Sequence, residues 1–201
     1  MELKENERLD DLQRGGLRII QRTDAFRFGT DAVLLSAFAA PRKHDRVCDL
    51  GTGTGVIPLL LYAREPSITA DALELQPDMA DMAARSMALN GLADILHVRV
   101  GDLRQARALM PHAAYDLVTC NPPYGKSGGT LLNPETAKRL ARHEETCRIT
   151  DVAQAAAWLL QGGGRLCCVF PAARLLELID ALRVKGLHTS KEVWGPFHYL
   201  C

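Results

Sequence analysis

Aromatic residues make up only 5% of this 201-residue chain, and net charge is absent: 24 Lys and Arg offset 24 Asp and Glu. The balance excludes a chain-wide basic field, so a nucleic-acid partner would need a local patch. Long apolar runs are missing, which excludes a membrane span by helix. The opening Met1-Glu-Leu-Lys-Glu-Asn-Glu-Arg8 is too polar for a signal peptide. No C-x-x-C joins the cysteines at 48, 120, 147, 167, 168 and 201, and the histidines at 44, 97, 112, 143, 188 and 198 lack ligand spacing, so no metal is expected. G-x-S-x-G and Walker patterns are absent, as are repeats and low-complexity segments. What remains is 47% apolar and 24% charged residues, enough for one core. Cys48, Cys120, Cys167 and Cys168 lie in apolar stretches and read as buried small hydrophobes of a reducing compartment, the cytoplasm.

Gly15-Gly16 reads as a turn into a short strand at Leu17–Gln21, and Thr30 as the N-cap of a helix that Pro41 ends. From Asp45 strand and helix alternate. Strands are expected at Arg46–Leu50, Ile68–Leu75, Ile95–Val100, Tyr115–Cys120 and Arg165–Phe170, with a sixth at about 188–197. Helices are expected from Val56, from Pro77 to Asn90, from Asn133-Pro134, from a Thr150 cap to Gly162-Gly-Gly164, and over 172–185. Met79, Met82 and Met87 share one face of the second of these, as core packing rather than a ligand site. The alternation implies a Rossmann-like α/β fold: a mostly parallel sheet with helices on both faces and the ligand at the carboxyl ends of the strands. The expected organisation is an N-terminal segment, 1–44, covering the pocket, and a core, 45–201, in one domain overall.

Three motifs carry chemistry. Asp49-Leu-Gly51-Thr52-Gly53-Thr-Gly55 leaves the first core strand and enters a helix; its glycines permit close approach of backbone to a ligand. A dinucleotide fingerprint requires glycine at 56, where Val56 stands, which disfavours a nicotinamide cofactor. Glu74 ends the next strand, where an acid accepts from ribose hydroxyls; alone it is weak, since charged residues end strands routinely. Asp102 follows the third strand and reads equally as an adenine contact or a loop cap. Asn121-Pro122-Pro123-Tyr124 follows the fourth. Its prolines remove two donors and leave acceptors, the Asn121 side-chain carbonyl and the Pro122 main-chain carbonyl, beside the flat face of Tyr124. That array suits a planar substrate bearing an NH₂ group. Accepting both hydrogens draws the nitrogen lone pair out of conjugation, toward an electrophile. A rigid turn is the bland alternative.

The glycine motif, Glu74 and Asn121-Pro-Pro-Tyr124 together resemble class I S-adenosylmethionine-dependent methyltransferases that act on amines. Asp10-Asp-Leu-Gln13, Ile19-Ile-Gln21, Phe26-Arg-Phe-Gly-Thr-Asp-Ala-Val-Leu-Leu35 and Ala141-Arg-His-Glu144 are similar to the bacterial tRNA1(Val) adenine-N6 methyltransferases. The resemblance runs from about residue 8 to 185. It implies S-adenosylmethionine as cofactor, tRNA as substrate and adenine N6 as the target. Gly51, Gly53 and Gly55, with Asp49 and Thr52 in the same turn, would cradle the methionine end; Glu74 would hold the ribose and Asp102 the adenine. Asn121, Pro122 and Tyr124 would hold the target amine, with Pro123 stiffening the loop. Phe28, Gly29 and Asp31 would close the cofactor pocket.

Residues 126–148 hold five basic and three acidic side chains. A stem-loop could dock on Lys126, Lys138, Arg139 and Arg142 through its phosphates. His143 reads as a solvated helix face rather than a base. The chain departs from the class at its end, where the antiparallel seventh strand is expected to be missing, leaving an exposed sheet edge and a monomer or weak dimer. Rival readings are a glutamine methyltransferase acting on a translation release factor, a DNA adenine methyltransferase and a catalytically impaired binding module. The first usually carries a helical domain before the catalytic one, and the second a larger target-recognition region.

Overall fold

The computed structural model describes residues 2–24, 28–122, 147–188, 192–193 and 198–200. Two strands, β1 (Glu7–Asp11) and β2 (Arg18–Arg22), form an antiparallel hairpin. The chain continues through α1 (Thr30–Ala39), β3 (Arg46–Leu50), α2 (Val56–Arg64), β4 (Thr69–Glu74), α3 (Pro77–Leu89), β5 (Leu96–Val100), a short α4 (Ala106–Leu109) and β6 (Tyr115–Cys120). After it come α5 (Ile149–Leu159), β7 (Leu160–Phe170), α6 (Leu175–Val184), β8 (Glu192–Val193) and β9 (His198–Leu200). The main sheet has the order β5-β4-β3-β6-β7-β9-β8, parallel from β5 to β7. Strand order reverses between β3 and β6, which makes their carboxyl ends the switch point where ligands bind in such sheets.

The alternation of side chains along each strand feeds two cores. Cys48, Leu50, Val118 and Cys120 point to the face covered by α4, α5 and α6. Val47 and Leu117 point to the face covered by α1 and α2. On α3, Ala80, Met82, Ala83, Ser86 and Met87 are buried, whereas Met79, expected on the same packing face, is only half-buried and lies next to Gly53 of the glycine turn. The β1–β2 hairpin docks on this helix. The Ser86 hydroxyl accepts from Ile20 N–H at 3.0 Å, Asn90 Oδ1 accepts from Arg18 N–H at 2.9 Å, and Arg85 donates to Glu7. Arg85 holds the Glu7 carboxyl below its usual range.

Several expectations shift. Gly29, not Thr30, is the N-cap of α1, and Thr30 is its first helical residue. Thr150 lies inside α5, whose entry is held by Asp151 accepting from Arg148 N–H at 2.8 Å. Gly162-Gly163-Gly164 belong to β7 instead of ending a helix; Gly163 takes φ +79° and the pairing with β6 changes register between Tyr115 and Leu117. Where a bare edge is expected beside β7, His198–Leu200 pair antiparallel with Cys168–Phe170, and Glu192–Val193 pair outside them. Three residues suffice to cover only the last part of β7. Cys48, Cys120, Cys147 and Cys168 are free, and burial pushes the Cys168 thiol up to about 12. Cys167 is buried in β7. Among the described residues no helix is long and apolar enough to cross a membrane. Nor does any cluster there assemble three potential metal ligands.

Candidate functional site

The site begins with register. Asp49 lies opposite Thr119 and Leu50 opposite Cys120 in the β3–β6 ladder. The glycine turn after Leu50 and the Asn121 loop after Cys120 therefore leave neighbouring parallel strands at the same level. In parallel sheets of this kind the switch point at that level is where a ligand crevice is expected.

The turn is latched from below. Gly51 N–H and Thr52 N–H both donate to the Leu73 carbonyl, at 2.8 and 3.1 Å. Gly53 N–H donates to Glu74 Oε2 at 2.9 Å, and Gln76 N–H to Glu74 Oε1 at 2.9 Å. Glu74 thus uses each oxygen once on main chain and retains further lone pairs for a ligand. Gly51 and Gly53 take φ +71° and +58°, which L side chains rarely adopt. A Cβ at Gly51 would meet nothing within 4 Å, and one at Gly53 only Met79 Cε at 3.9 Å, so both edges of the turn open onto space. Gly55 differs: a Cβ there would lie 2.6 Å from Met87 Cε and 3.2 Å from Ala83 Cβ. Its lack of a side chain lets the turn pack closely on α3.

Asp49 is fully buried. Desolvation raises its carboxyl to about 7; the hydroxyls of Thr119 and Thr52 pull the other way, and the Glu74 charge adds to the rise. Thr119 donates to Asp49 Oδ1 at 2.6 Å. Asp49 Oδ2 and Thr52 Oγ1 are buried with no hydrogen-bond partner, so the Thr52 hydroxyl is near the carboxyl without bonding to it. Two orphaned polar atoms beneath an open glycine turn fit a ligand that brings its own polar groups, since buried polar atoms otherwise find partners.

The N-terminal segment reaches the same crevice. Asn121 Nδ2 donates to Asp31 Oδ2 at 3.0 Å. Phe28 N–H donates to Gln21 Oε1 at 3.3 Å, and Gln21 Nε2 donates to Asp10 Oδ2 at 2.6 Å. Phe28 packs against the core on the α1–α2 side. Thr119 is a contributor that motif reading passed over, although it stands two residues before Asn121 on a strand expected beside Asp49. Gln21 belongs to the Ile19-Ile-Gln21 resemblance but carried no assigned role. Asp102 is engaged locally: it accepts from Arg104 N–H at 2.9 Å and pairs with the Arg104 guanidinium, which holds its carboxyl below its usual value. Pro122 is partly exposed at the strand end. Pro123, Tyr124, Lys126, Lys138, Arg139 and Arg142 lie outside the described residues, as does the helix expected from Asn133.

Residues 23–183 match the family described as methyltransferase small domain. A Parabacteroides distasonis protein named tRNA1(Val) (adenine(37)-N6)-methyltransferase is 35% identical over 170 residues, covering 84% of this chain and 69% of that protein. One of the same name from Pedobacter heparinus is 34% identical over 167 residues, covering 81% and 68%. The chain thus spans about two thirds of the length of these relatives. Among solved structures, TrmN from Thermus thermophilus superposes with a TM-score of 0.62 at 24% identity, over 84% of this chain and 46% of that one, a likeness of fold.

Proposed function

The chain belongs to the methyltransferase small domain family, and from that premise we propose that it transfers a methyl group from S-adenosylmethionine to the exocyclic N6 amine of an adenine in tRNA. The observation that carries this reading is the shared level of two loops: the latched glycine turn leaves β3 and Asn121 leaves β6 at the same register of neighbouring parallel strands. A cofactor on the first and an amine on the second would meet with little further movement.

S-adenosylmethionine supplies an electrophilic methyl group on a sulfonium. The residues of the chain do the rest. Gly51 and Gly53 leave room for the methionine end, and Asp49 Oδ2 and Thr52 Oγ1 offer it hydrogen-bonding capacity. The remaining lone pairs of Glu74 suit ribose hydroxyls. Phe28 and Gly29 would close the pocket, and Asp102, though paired with Arg104, stands at the strand end where the adenine would lie. The Asn121 and Pro122 carbonyls accept the two hydrogens of the target amine, and Tyr124 stacks on its ring. No base is required, because the product ammonium loses its proton to solvent. Positioning supplies most of the rate. A loop adenine enters such a pocket at less cost than a paired one. Lys126, Lys138, Arg139 and Arg142 would take the phosphates. The setting would be the cytoplasm, and the protein a monomer or a weak dimer through a sheet edge.

Labelled S-adenosylmethionine offered in parallel to total tRNA, rRNA, DNA and a translation release factor tests the reading. Label in tRNA, recovered as N6-methyladenosine by nucleoside mass spectrometry, is the expected result. Label confined to the release factor would overturn it.

A further inference from the structure

A side-chain amide has two arms of opposite character, and catalysis by Asn121 depends on which arm faces the substrate. A target NH₂ needs the carbonyl. Turned the other way, Asn121 would set its own NH₂ against the substrate's, donor against donor. Resting on the methyl-transfer reading above, we propose that Asp31 is a positioning residue that locks the Asn121 amide with its carbonyl toward the target amine.

Two observations carry this. Asn121 Nδ2 lies 3.0 Å from Asp31 Oδ2. An ionised carboxylate only accepts hydrogen bonds, so the arm of the amide that faces it must be the NH₂. Oδ1, on the other arm of the planar amide, is left as the acceptor. The partner's chemistry fixes the orientation, not a choice between similar-looking atoms. Asp31 is itself held for this task. Gly29, the N-cap of α1, lies so close that a Cβ on it would sit 2.5 Å from Asp31 Oδ1. Gly29 has φ −94°, a conformation open to any residue, so the backbone does not require glycine there. What requires it is the space that the Asp31 carboxylate occupies when it turns toward Asn121. The contact joins residues 90 apart in sequence and fastens the first turn of α1 to the end of β6. The same device recurs nearby: Asp10 takes the Gln21 NH₂, which leaves the Gln21 carbonyl to accept from Phe28 N–H.

The test uses the full chain and four variants, each checked for a cooperative melt. Asp31→Ala removes the lock, and Gly29→Ala displaces it while leaving every hydrogen-bonding group in place. At saturating S-adenosylmethionine both should lower kcat on tRNA roughly tenfold, with the KM for tRNA within about twofold of the parent. Asn121→Asp sets two carboxylates against each other and should lower kcat at least about a hundredfold. Adding Asp31→Asn to it reverses the pair. The amide at 31 then donates to the carboxylate at 121, which keeps an oxygen for the target, and roughly tenfold of the loss should return. A merely structural role for Asp31 predicts no such rescue. Parental kcat in Asp31→Ala, or a double variant no better than Asn121→Asp alone, would overturn the proposal.

A second readout does not depend on the substrate. In ¹⁵N-labelled protein saturated with S-adenosylhomocysteine, the Asn121 side-chain amide, assigned by its disappearance in Asn121→Asp, should be protected from hydrogen exchange. In Asp31→Ala it should shift and lose that protection. If the parent methylates no tRNA, the substrate reading has failed and this measurement still decides the role of Asp31; an unchanged Asn121 amide in Asp31→Ala would refute it.

Discussion

Thr119 donates its hydroxyl hydrogen to Asp49 across the β3–β6 ladder at 2.6 Å, joining the two strands directly beneath the two loops they support. The bond leaves Asp49 Oδ2 without a partner in a fully buried place, and burial lifts the carboxyl from the usual 3.8 to about 7. The folded chain therefore holds its proton where the unfolded chain has released it. Stability from this group is complete below about pH 4 and is lost as pH rises through about 7. At about 1.4 kcal/mol per pKa unit, the span is on the order of 4 kcal/mol. Asp49→Asn removes the buried charge. If it recovers half of that, Tm at pH 8 should rise by roughly 4–8 °C, with little gain at pH 4 and weaker binding of S-adenosylmethionine. Scanning fluorimetry across that pH range checks it; a variant no more stable than the parent at pH 8 contradicts the buried-charge account.

Glu74→Gln is usually counted as mild, and here it should not be. Both oxygens of Glu74 accept main-chain N–H groups, from Gly53 and Gln76. Glutamine has one acceptor and an NH₂, so one main-chain donor would face another donor. The expected cost is about 1–3 kcal/mol in stability, together with a loss of cofactor affinity as the glycine turn shifts. Urea unfolding and calorimetry with S-adenosylhomocysteine measure the two effects. Parental values in both would mean that the latch is dispensable.

Gly55→Ala and Gly53→Ala should separate packing from binding. At Gly55 the new methyl would meet Met87 Cε at 2.6 Å and φ is +84°, so the variant should lose roughly 1–3 kcal/mol or more. Met87→Ala should cost less in the Gly55→Ala background than in the parent, because there it also removes part of the collision. At Gly53 the methyl meets only Met79 Cε at 3.9 Å, so loss of ligand affinity should exceed any packing penalty. Equal melting and binding defects in the two variants would refute this division.

Asn121→Ala should lower kcat about a hundredfold or more with cofactor affinity nearly unchanged, as for loss of one positioned hydrogen-bonding group. Tyr124→Phe should be mild because stacking survives, whereas Tyr124→Ala should raise the KM for tRNA. Nucleoside mass spectrometry of treated tRNA reports both. Methylation at the parental rate by Asn121→Ala would remove this loop from the chemistry.

What could be read from sequence was local. Glycine spacing marks the turn, Pro77 marks the start of α3, and a proline pair marks the end of β6, because each acts on its own backbone. Contacts made at a distance were not visible. The β1 strand, Glu-Arg-Leu-Asp-Asp, has no apolar alternation and forms through pairing with β2 and docking on α3. Three successive glycines read as a breaker, and within β7 they fall in the stretch where pairing with β6 skips, between Leu160 opposite Tyr115 and Arg165 opposite Leu117. Asp102 is a local case as well: of its two readings, adenine contact or loop cap, the structure shows the cap, made with Arg104 two residues on. The pairing of Asp31 with Asn121 spans 90 residues and leaves no periodic trace.

The hairpin also bears on where the chain can be cut. The family match begins at residue 23, one residue past β2, and a shortened protein made to that boundary would look complete on paper. It would strip Glu7 from Arg85, the Ile20 N–H from Ser86, the main chain of Arg18 from Asn90, and Gln21 from Phe28. One flank of α3 would be laid bare to water, and the segment leading into α1 would lose its tether. Such a trimmed protein should collect in inclusion bodies, and the expression boundary belongs ahead of Glu7.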